Sequence, residues 1–229
     1  MKILMIGAGG IGSYLLPVML KSFPDAQVEL WDADKLEERN LDRQQFSESF
    51  VGQPKALALV DMLPKDMQHR VYSVVSWFTD ASVPATESPD VIIACPDNHM
   101  ARYAAICLAK ELFIPAILAG NDYFDSQADL FLPELEGTKF DVLVRHPEIA
   151  TDKEGSPTTA SCTGEAQEAT PQLALANQRA AGHVLHLLAN LPAFLAAIKK
   201  GGGRVTEEMK AFPISISTTR YSVETLHLS

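Results

Sequence analysis

Residues 2–23 read KILMIGAGGIGSYLLPVMLKSF, and this stretch decides the fold class. An apolar run from Ile3 to Ile6 is short enough for a buried strand. A cluster of glycines (Gly7, Gly9, Gly10 and Gly12) follows, and then an apolar pattern of helical length. Strand, glycine turn and helix in that order form a phosphate-accepting corner. Cβ atoms would block the tight turn and keep phosphates away from the helix N-terminus. The next apolar segment, Gln27 to Trp31, reads as a second strand ending at Asp32. That is about 20 residues beyond the turn, where a carboxylate accepts hydrogen bonds from ribose hydroxyls. NAD, FAD and ATP binders share this much, so the corner alone does not choose among them.

Further along, Pro54 to Leu63 has helical spacing, with Pro54 suited to a first turn. Val71 to Trp77 is β-rich, Asp90 to Ala94 (DVIIA) reads as a buried strand, and His99 to Leu112 alternates helically. Ile114 to Ala119 is a further strand. Strands alternating with helices predict a mixed, mainly parallel α/β sheet covered on both faces. Ala128 to Leu132 and Phe140 to Val144 are read as two more strands, parallel or antiparallel. Residues 149–170 have no apolar period and are expected to form a long crossover loop, a feature more often functional than idle. Pro171 to Leu191 is a periodic helix that Pro192 is expected to end or kink. A turn at Gly201 to Gly203 and a last strand at Ile214 to Thr218 complete a single predicted domain over residues 1–229.

Composition narrows the function classes. Of 229 residues, 47% are hydrophobic and 21% charged, an ordinary globular balance. The net charge of −10 argues against a nucleic-acid backbone as partner. Three cysteines (Cys95, Cys107 and Cys162) lie far apart with no CxxC pair, so neither a disulfide framework nor a zinc site is expected. The opening segment is too short for a signal peptide, and no apolar stretch suggests a membrane span, which predicts a cytoplasmic protein. Cys95 and Cys107 fall in an apolar strand and helix and are read as core residues. His183 and His186 are read as partly exposed helix histidines, since no carboxylate accompanies them.

The block WDADKLEERNLDRQQFSESFVGQPKA, residues 31–56, favours a triphosphate. Cleaving one needs cations that follow charge onto departing pyrophosphate, and Arg43 and Lys55 are placed to supply it. Here Asp32 and Asp34 form a D-x-D, Asn40-Leu41-Asp42-Arg43-Gln44 an N-L-x-R-Q, and Gly52-Gln53-Pro54-Lys55 a G-x-x-K. Asp97, Asn98 and Arg102 form a later D-N-x-x-x-R. Four such blocks, in this order and over roughly the first 120 residues, resemble the ThiF/MoeB/E1 superfamily, in particular shortened bacterial ThiF-type proteins.

The resemblance implies a Rossmann-like adenylation fold and an ATP-dependent reaction. A ubiquitin-like or sulfur-carrier protein ending in glycine would be adenylated at its C-terminal carboxylate. Asp32 resembles the ribose-binding acid; Asn40, Arg43 and Lys55 resemble triphosphate contacts, with Asp34, Gln44 and Asn98 beside them. Asp97 is similar to the acid that holds Mg²⁺. Gly120, Asn121 and Asp122 would line a channel for the carrier tail. Cys162-Thr163 before Pro171 resembles the catalytic-cysteine segment of E1 enzymes, which implies a carrier thioester and an E2-like protein as a further partner. Relatives commonly form homodimers.

The chain departs from the family pattern at its start, where a helix supplying a further arginine is not present. Either Arg102 or Arg145 substitutes, or activity needs a partner subunit. Arg102 could equally brace the loop bearing Asp97. Two rivals stay open at this point: a non-catalytic or partner-dependent E1-like subunit, and an NAD-dependent oxidoreductase. The latter uses Asp32 but leaves Arg43, Lys55 and Asp97 without a task.

Overall fold

A computed structural model of the chain describes residues 1–85, 88–152, 173–201, 206–220 and 222–228. The expected strand–turn–helix is present as β1 (Lys2–Ile6) and α1 (Gly10–Ser22). It is followed by β2 (Gln27–Trp31), α2 (Lys55–Asp61), α3 (Lys65–Gln68) and β3 (Val71–Val74). Next come β4 (Val91–Ala94), α4 (His99–Leu112), β5 (Ala116–Asn121) and β6 (Ser126–Phe131). The short helices α5 (Val142–Arg145) and α6 (Glu148–Thr151) precede the long α7 (Ala174–Gly201). The chain then passes through α8 (Glu207–Lys210) to β7 (Pro213–Thr218) and β8 (Val223–His227).

The eight strands form one mixed sheet in the order β3-β2-β1-β4-β5-β6-β7-β8. The first five are mutually parallel, and β6, β7 and β8 join antiparallel. The apolar runs of β1 and β4 follow from burial on both sides, since alternate residues face opposite layers. Ile3 and Met5 enter a core with Leu15 and Leu16 of α1 and Val184 and Leu187 of α7. Leu4 and Ile6 enter a second core with Ala104 and Ala105 of α4. Chain order reverses at β1, with β2 on one side and β4 on the other. Open α/β sheets bind ligands in the crevice beyond strand C-termini at such a switch point.

Three expectations are corrected. Phe140–Val144 is not a strand: Asp141 caps a helical turn there, its Oδ1 accepting the Leu143 N–H at 3.0 Å. A cap bonded this way outweighs β-branched composition in so short a segment. Pro192 does not end its helix, because α7 continues to Gly201 with Phe194, Ala197 and Ile198 buried beyond it. Packing of that apolar face offsets the one backbone bond a proline removes. The last strand is β8, whose VETLH sequence is mostly exposed and lacks the apolar pattern of the others. Residues 149–151 of the expected loop belong to α6, and residues 153–172 lie outside the described residues. By length and composition α7 could cross a bilayer; its apolar stripe of Ala180, Val184, Leu187 and Leu191 is buried against the sheet.

Candidate functional site

The C-terminal ends of β1, β2 and β4 open onto a cavity of about 650 Å³. The turn after β1 forms its floor. Gly7 has φ of +100°, and a Cβ there would sit 2.7 Å from the Cys95 carbonyl oxygen. At Gly12 a Cβ would sit 2.2 Å from the Gly7 carbonyl oxygen. Those two glycines let the turn close on itself and on β4. Gly9 is different: its Cβ position meets only Gln44 Nε2, at 3.7 Å, and the residue lines the cavity. Gly9 precedes the first turn of the 13-residue α1, where helical N–H groups lack intrahelical acceptors and favour an anion.

Asp32, at the end of β2, holds this turn in place. Its Oδ2 accepts the Ala8 N–H at 2.7 Å and its Oδ1 accepts the Asp34 N–H at 2.8 Å. Burial pushes its carboxyl up to about 6, with Lys55 and those two N–H groups pulling the other way. Asp34 in turn accepts from Lys55 Nζ at 2.8 Å. The D-x-D and G-x-x-K blocks are thus joined directly, and their spacing follows from that joint.

The N-L-x-R-Q block closes another side. Asn40 Oδ1 accepts the Glu37 N–H at 3.0 Å, completing a reciprocal cap on the Glu38–Asn40 turn. Arg43 Nη1 donates to the Arg39 carbonyl at 2.6 Å and to Asp42 at 2.9 Å. Its side chain is only 17% exposed. Ser13 Oγ accepts the Gln45 N–H at 3.0 Å, which fastens the block to α1.

Opposite, Asn98 caps α4 by accepting the Ala101 N–H at 2.8 Å, and it also donates to Asp97 at 3.4 Å. Arg102 donates to the Pro96 and Ala119 carbonyls. It therefore braces the loop carrying Asp97, and burial pulls its pKa down. Arg145 pairs with the buried Asp129 at 2.5 Å and does not line this cavity.

A second cavity of about 400 Å³ adjoins the first and shares Arg102, Asn121 and Asp122 with it. Gly120 lines this second space, and a Cβ there would meet Arg102 Nη2 at 2.9 Å.

All four motif blocks thus meet at one cavity, through Gly7, Gly9, Gly10, Asp32, Asp34, Asn40, Arg43, Gln44, Lys55, Asp97 and Asn98. Gly12 serves the turn from beneath. Cys95 is not the enclosed core residue expected: it is half-buried and lines the cavity, and burial pushes its thiol up to about 12. That makes it a poor nucleophile. Cys107 is also half-buried. His183 bonds Thr218 Oγ1 at 2.9 Å and Ser126 Oγ at 3.3 Å, tying α7 to β6 and β7. Cys162 lies outside the described residues.

Sequence reasoning missed the wall made by Ser76, Trp77 and Phe78, and it missed Asn177 of α7. An asparagine in an alanine- and leucine-rich helix gave no signal.

The residues suit a phosphorylated nucleotide. An open glycine cradle, several cationic side chains including Arg43 and Lys55, and the Asp32 carboxylate share one crevice. The buried Oε1 of Gln44 and Nδ2 of Asn121 have no partner among the described residues.

The chain matches the ThiF family over residues 1–228. It is 31% identical over 143 residues to the NEDD8-activating enzyme E1 catalytic subunit of Schizosaccharomyces pombe, covering 58% of this chain and 32% of that protein. It is 29% identical over 141 residues to the ubiquitin-activating enzyme E1-like protein of Saccharomyces cerevisiae, covering 58% of this chain and 21% of that one. The aligned region therefore spans a third or less of these two relatives. Among solved structures, E. coli MccB with ATP superposes with a TM-score of 0.66 at 16% identity, covering 100% of this chain and 64% of MccB. E. coli MccB with AMPCPP and MccA gives 0.67 at 16%, covering 100% and 64%. PaaA gives 0.65 at 17%, covering 100% and 73%. At such identities the likeness is one of fold.

Proposed function

The chain belongs to the ThiF family, and from that premise we propose that it activates the C-terminal carboxylate of a small carrier protein at the expense of ATP. The observation that carries this reading is the convergence of four separated motif blocks on one cavity at the sheet's switch point. An oxidoreductase would need the glycine turn and Asp32 but not Arg43, Lys55 and Asp97 around the same space.

In this reading Asp32 receives the ribose hydroxyls, and the α1 N-terminus with Gly9 receives phosphate oxygens. Arg43 and Lys55 stabilise charge as it moves onto pyrophosphate. The carrier tail reaches the nucleotide through the second cavity, past Gly120, Asn121 and Asp122. Its carboxylate oxygen forms a bond to the α-phosphorus, and the bond from that phosphorus to the bridging oxygen breaks. Acyl adenylate and pyrophosphate result. The protein's main task is to hold two anions together and offset their repulsion. Asp97 would hold Mg²⁺, a role suited to a lone carboxylate because that ion keeps much of its water and shares phosphate oxygens. Bound there, Mg²⁺ would neutralise phosphate charge.

A subsequent step uses Cys162. Its thiolate attacks the acyl carbon, AMP leaves, and the carrier is held as a thioester ready for an E2-like acceptor. The proposed setting is the cytoplasm and the proposed assembly a homodimer.

The test is carrier-dependent exchange of labelled pyrophosphate into ATP. The carrier to try first is a β-grasp protein ending in glycine that is encoded beside this chain. Exchange supports the reading, whereas retention of NAD with no exchange overturns it. One observation favours a second reading, in which a partner subunit completes the site. Arg102 and Arg145, the further arginines considered for the phosphates, are already engaged, Arg102 with two carbonyls and Arg145 with Asp129. Exchange that appears only when a partner is added would select that version.

A further inference from the structure

Asn177 is fully buried in the first turns of α7 and lines the nucleotide-sized cavity. Its Nδ2 donates to the Arg43 carbonyl at 3.0 Å. Its Oδ1 has no hydrogen-bond partner among the described residues. The carboxamide also lies so close to the glycine turn that a Cβ on Gly10 would be 2.4 Å from Oδ1. One side chain therefore touches both elements that the proposed function assigns to phosphate: the start of α1 and the backbone of the Arg43 block. A buried carboxamide left half-satisfied costs free energy, so its placement calls for a reason beyond packing.

We infer that Asn177 is a positioning residue for the nucleotide's outer phosphates. By gripping the Arg43 carbonyl it fixes where the guanidinium stands relative to the Gly9–Gly10 turn. Gly10 is a glycine to admit this carboxamide, whereas Gly9 is one to admit the ligand. Because Asn177 belongs to α7, and α7 follows the segment holding Cys162, the seating of that helix sets the site's grip on a triphosphate. The inference rests on the nucleotide reading above and goes beyond it by dividing the nucleotide: Asn177 matters to the β- and γ-phosphates and not to AMP.

The test titrates AMP and a non-hydrolysable ATP analogue into the wild-type chain, Asn177→Ser and Asn177→Ala, with thermal unfolding measured alongside. In either variant, affinity for the ATP analogue should fall about tenfold, the scale of one hydrogen bond that had fixed a charged group. AMP affinity should stay within about twofold in the same samples. The Gly10→Ala variant should bind the analogue weakly, and adding Asn177→Ser to it should recover part of the loss, because the steric conflict is with this side chain. This rescue also tests the idea should Asn177→Ala fail to fold. Wild-type affinity for the analogue in Asn177→Ser overturns the inference. So does equal loss of both nucleotides in a variant that still folds, or a Gly10→Ala defect that Asn177→Ser leaves unchanged. A wild-type chain that binds neither nucleotide is a different result, removing the nucleotide reading first and this inference with it.

Discussion

Lys55 Nζ lies 2.8 Å from Asp34 Oδ2, and the Lys55 backbone N–H donates to the Asp34 carbonyl, also at 2.8 Å. The lysine side chain is 9% exposed while its partner is 42% exposed. The ammonium thus reaches the cavity already oriented by a carboxylate, which suits the proposed role of meeting charge that appears late in a reaction.

Lys55→Ala and Arg43→Ala should each lower carrier-dependent pyrophosphate exchange by about two to three powers of ten, the cost of losing one charge-stabilising group. Lys55→Ala also removes the cation that pairs with Asp34 and offsets its charge at Asp32. Adding Asp34→Ala should then recover part of the ATP affinity while the rate stays low. Exchange at the wild-type rate in either single variant would remove that side chain from the proposed role.

Asp32 gives a pH dependence whose sign is fixed by its surroundings. Its folded-state value of about 6 lies above the ordinary 3.8, so between those values the folded chain binds more protons than the unfolded one. Stability from this group is therefore fully present below pH 3.8 and is lost as pH rises toward 6, a swing on the order of 3 kcal/mol. In Asp32→Asn the fall should be absent, so the difference in Tm between variant and wild type should shift in the variant's favour from pH 4 to pH 7. Binding runs the opposite way. Ribose hydroxyls prefer the ionised carboxylate, so wild-type ATP affinity should rise from pH 5 to pH 7 with proton release visible by calorimetry in two buffers. Parallel stability curves for the two proteins would contradict the assignment.

Why some of this could be read from sequence and some could not follows from sequence separation and burial. β1, β4 and β5 announce themselves because both faces are covered, leaving unbroken runs such as Val91–Ala94. β8 carries no such mark, since most of VETLH faces solvent at a sheet edge. Phe140–Val144 misleads because a single cap at Asp141 decides its conformation. In the site, residues held within one turn or one strand end were legible from their motifs. Asn177 was not, because its meaning lies in a bond to a carbonyl 134 residues away, and no local pattern encodes such a contact.

For the thioester step, Cys162→Ala should leave pyrophosphate exchange intact and abolish any carrier conjugate that a thiol reductant releases. The comparison thiol is Cys95, which lines the nucleotide cavity with its pKa pushed far above neutrality. Cys95→Ala should preserve the conjugate. A reductant-sensitive conjugate that persists in Cys162→Ala and disappears in Cys95→Ala would move the chemistry into the crevice and end the proposed role of Cys162.

The glycines of the turn separate packing from binding. In Gly12→Ala the new methyl would stand 2.2 Å from the Gly7 carbonyl oxygen, a backbone atom at the base of the turn that cannot move aside cheaply. That variant should lose about 1–3 kcal/mol of stability, as overpacked cores do, with weaker ATP binding as a secondary result. Gly9→Ala meets only the end of the Gln44 side chain, at 3.7 Å. Its Tm should fall by less than that of Gly12→Ala, yet its ATP affinity should fall about tenfold or more, because a methyl now occupies space a phosphate needs. Thermal unfolding and ATP titration on the two variants decide the matter. If Gly9→Ala keeps full affinity, the phosphates do not sit over this turn, and the arrangement of Arg43 and Lys55 around it would need another ligand.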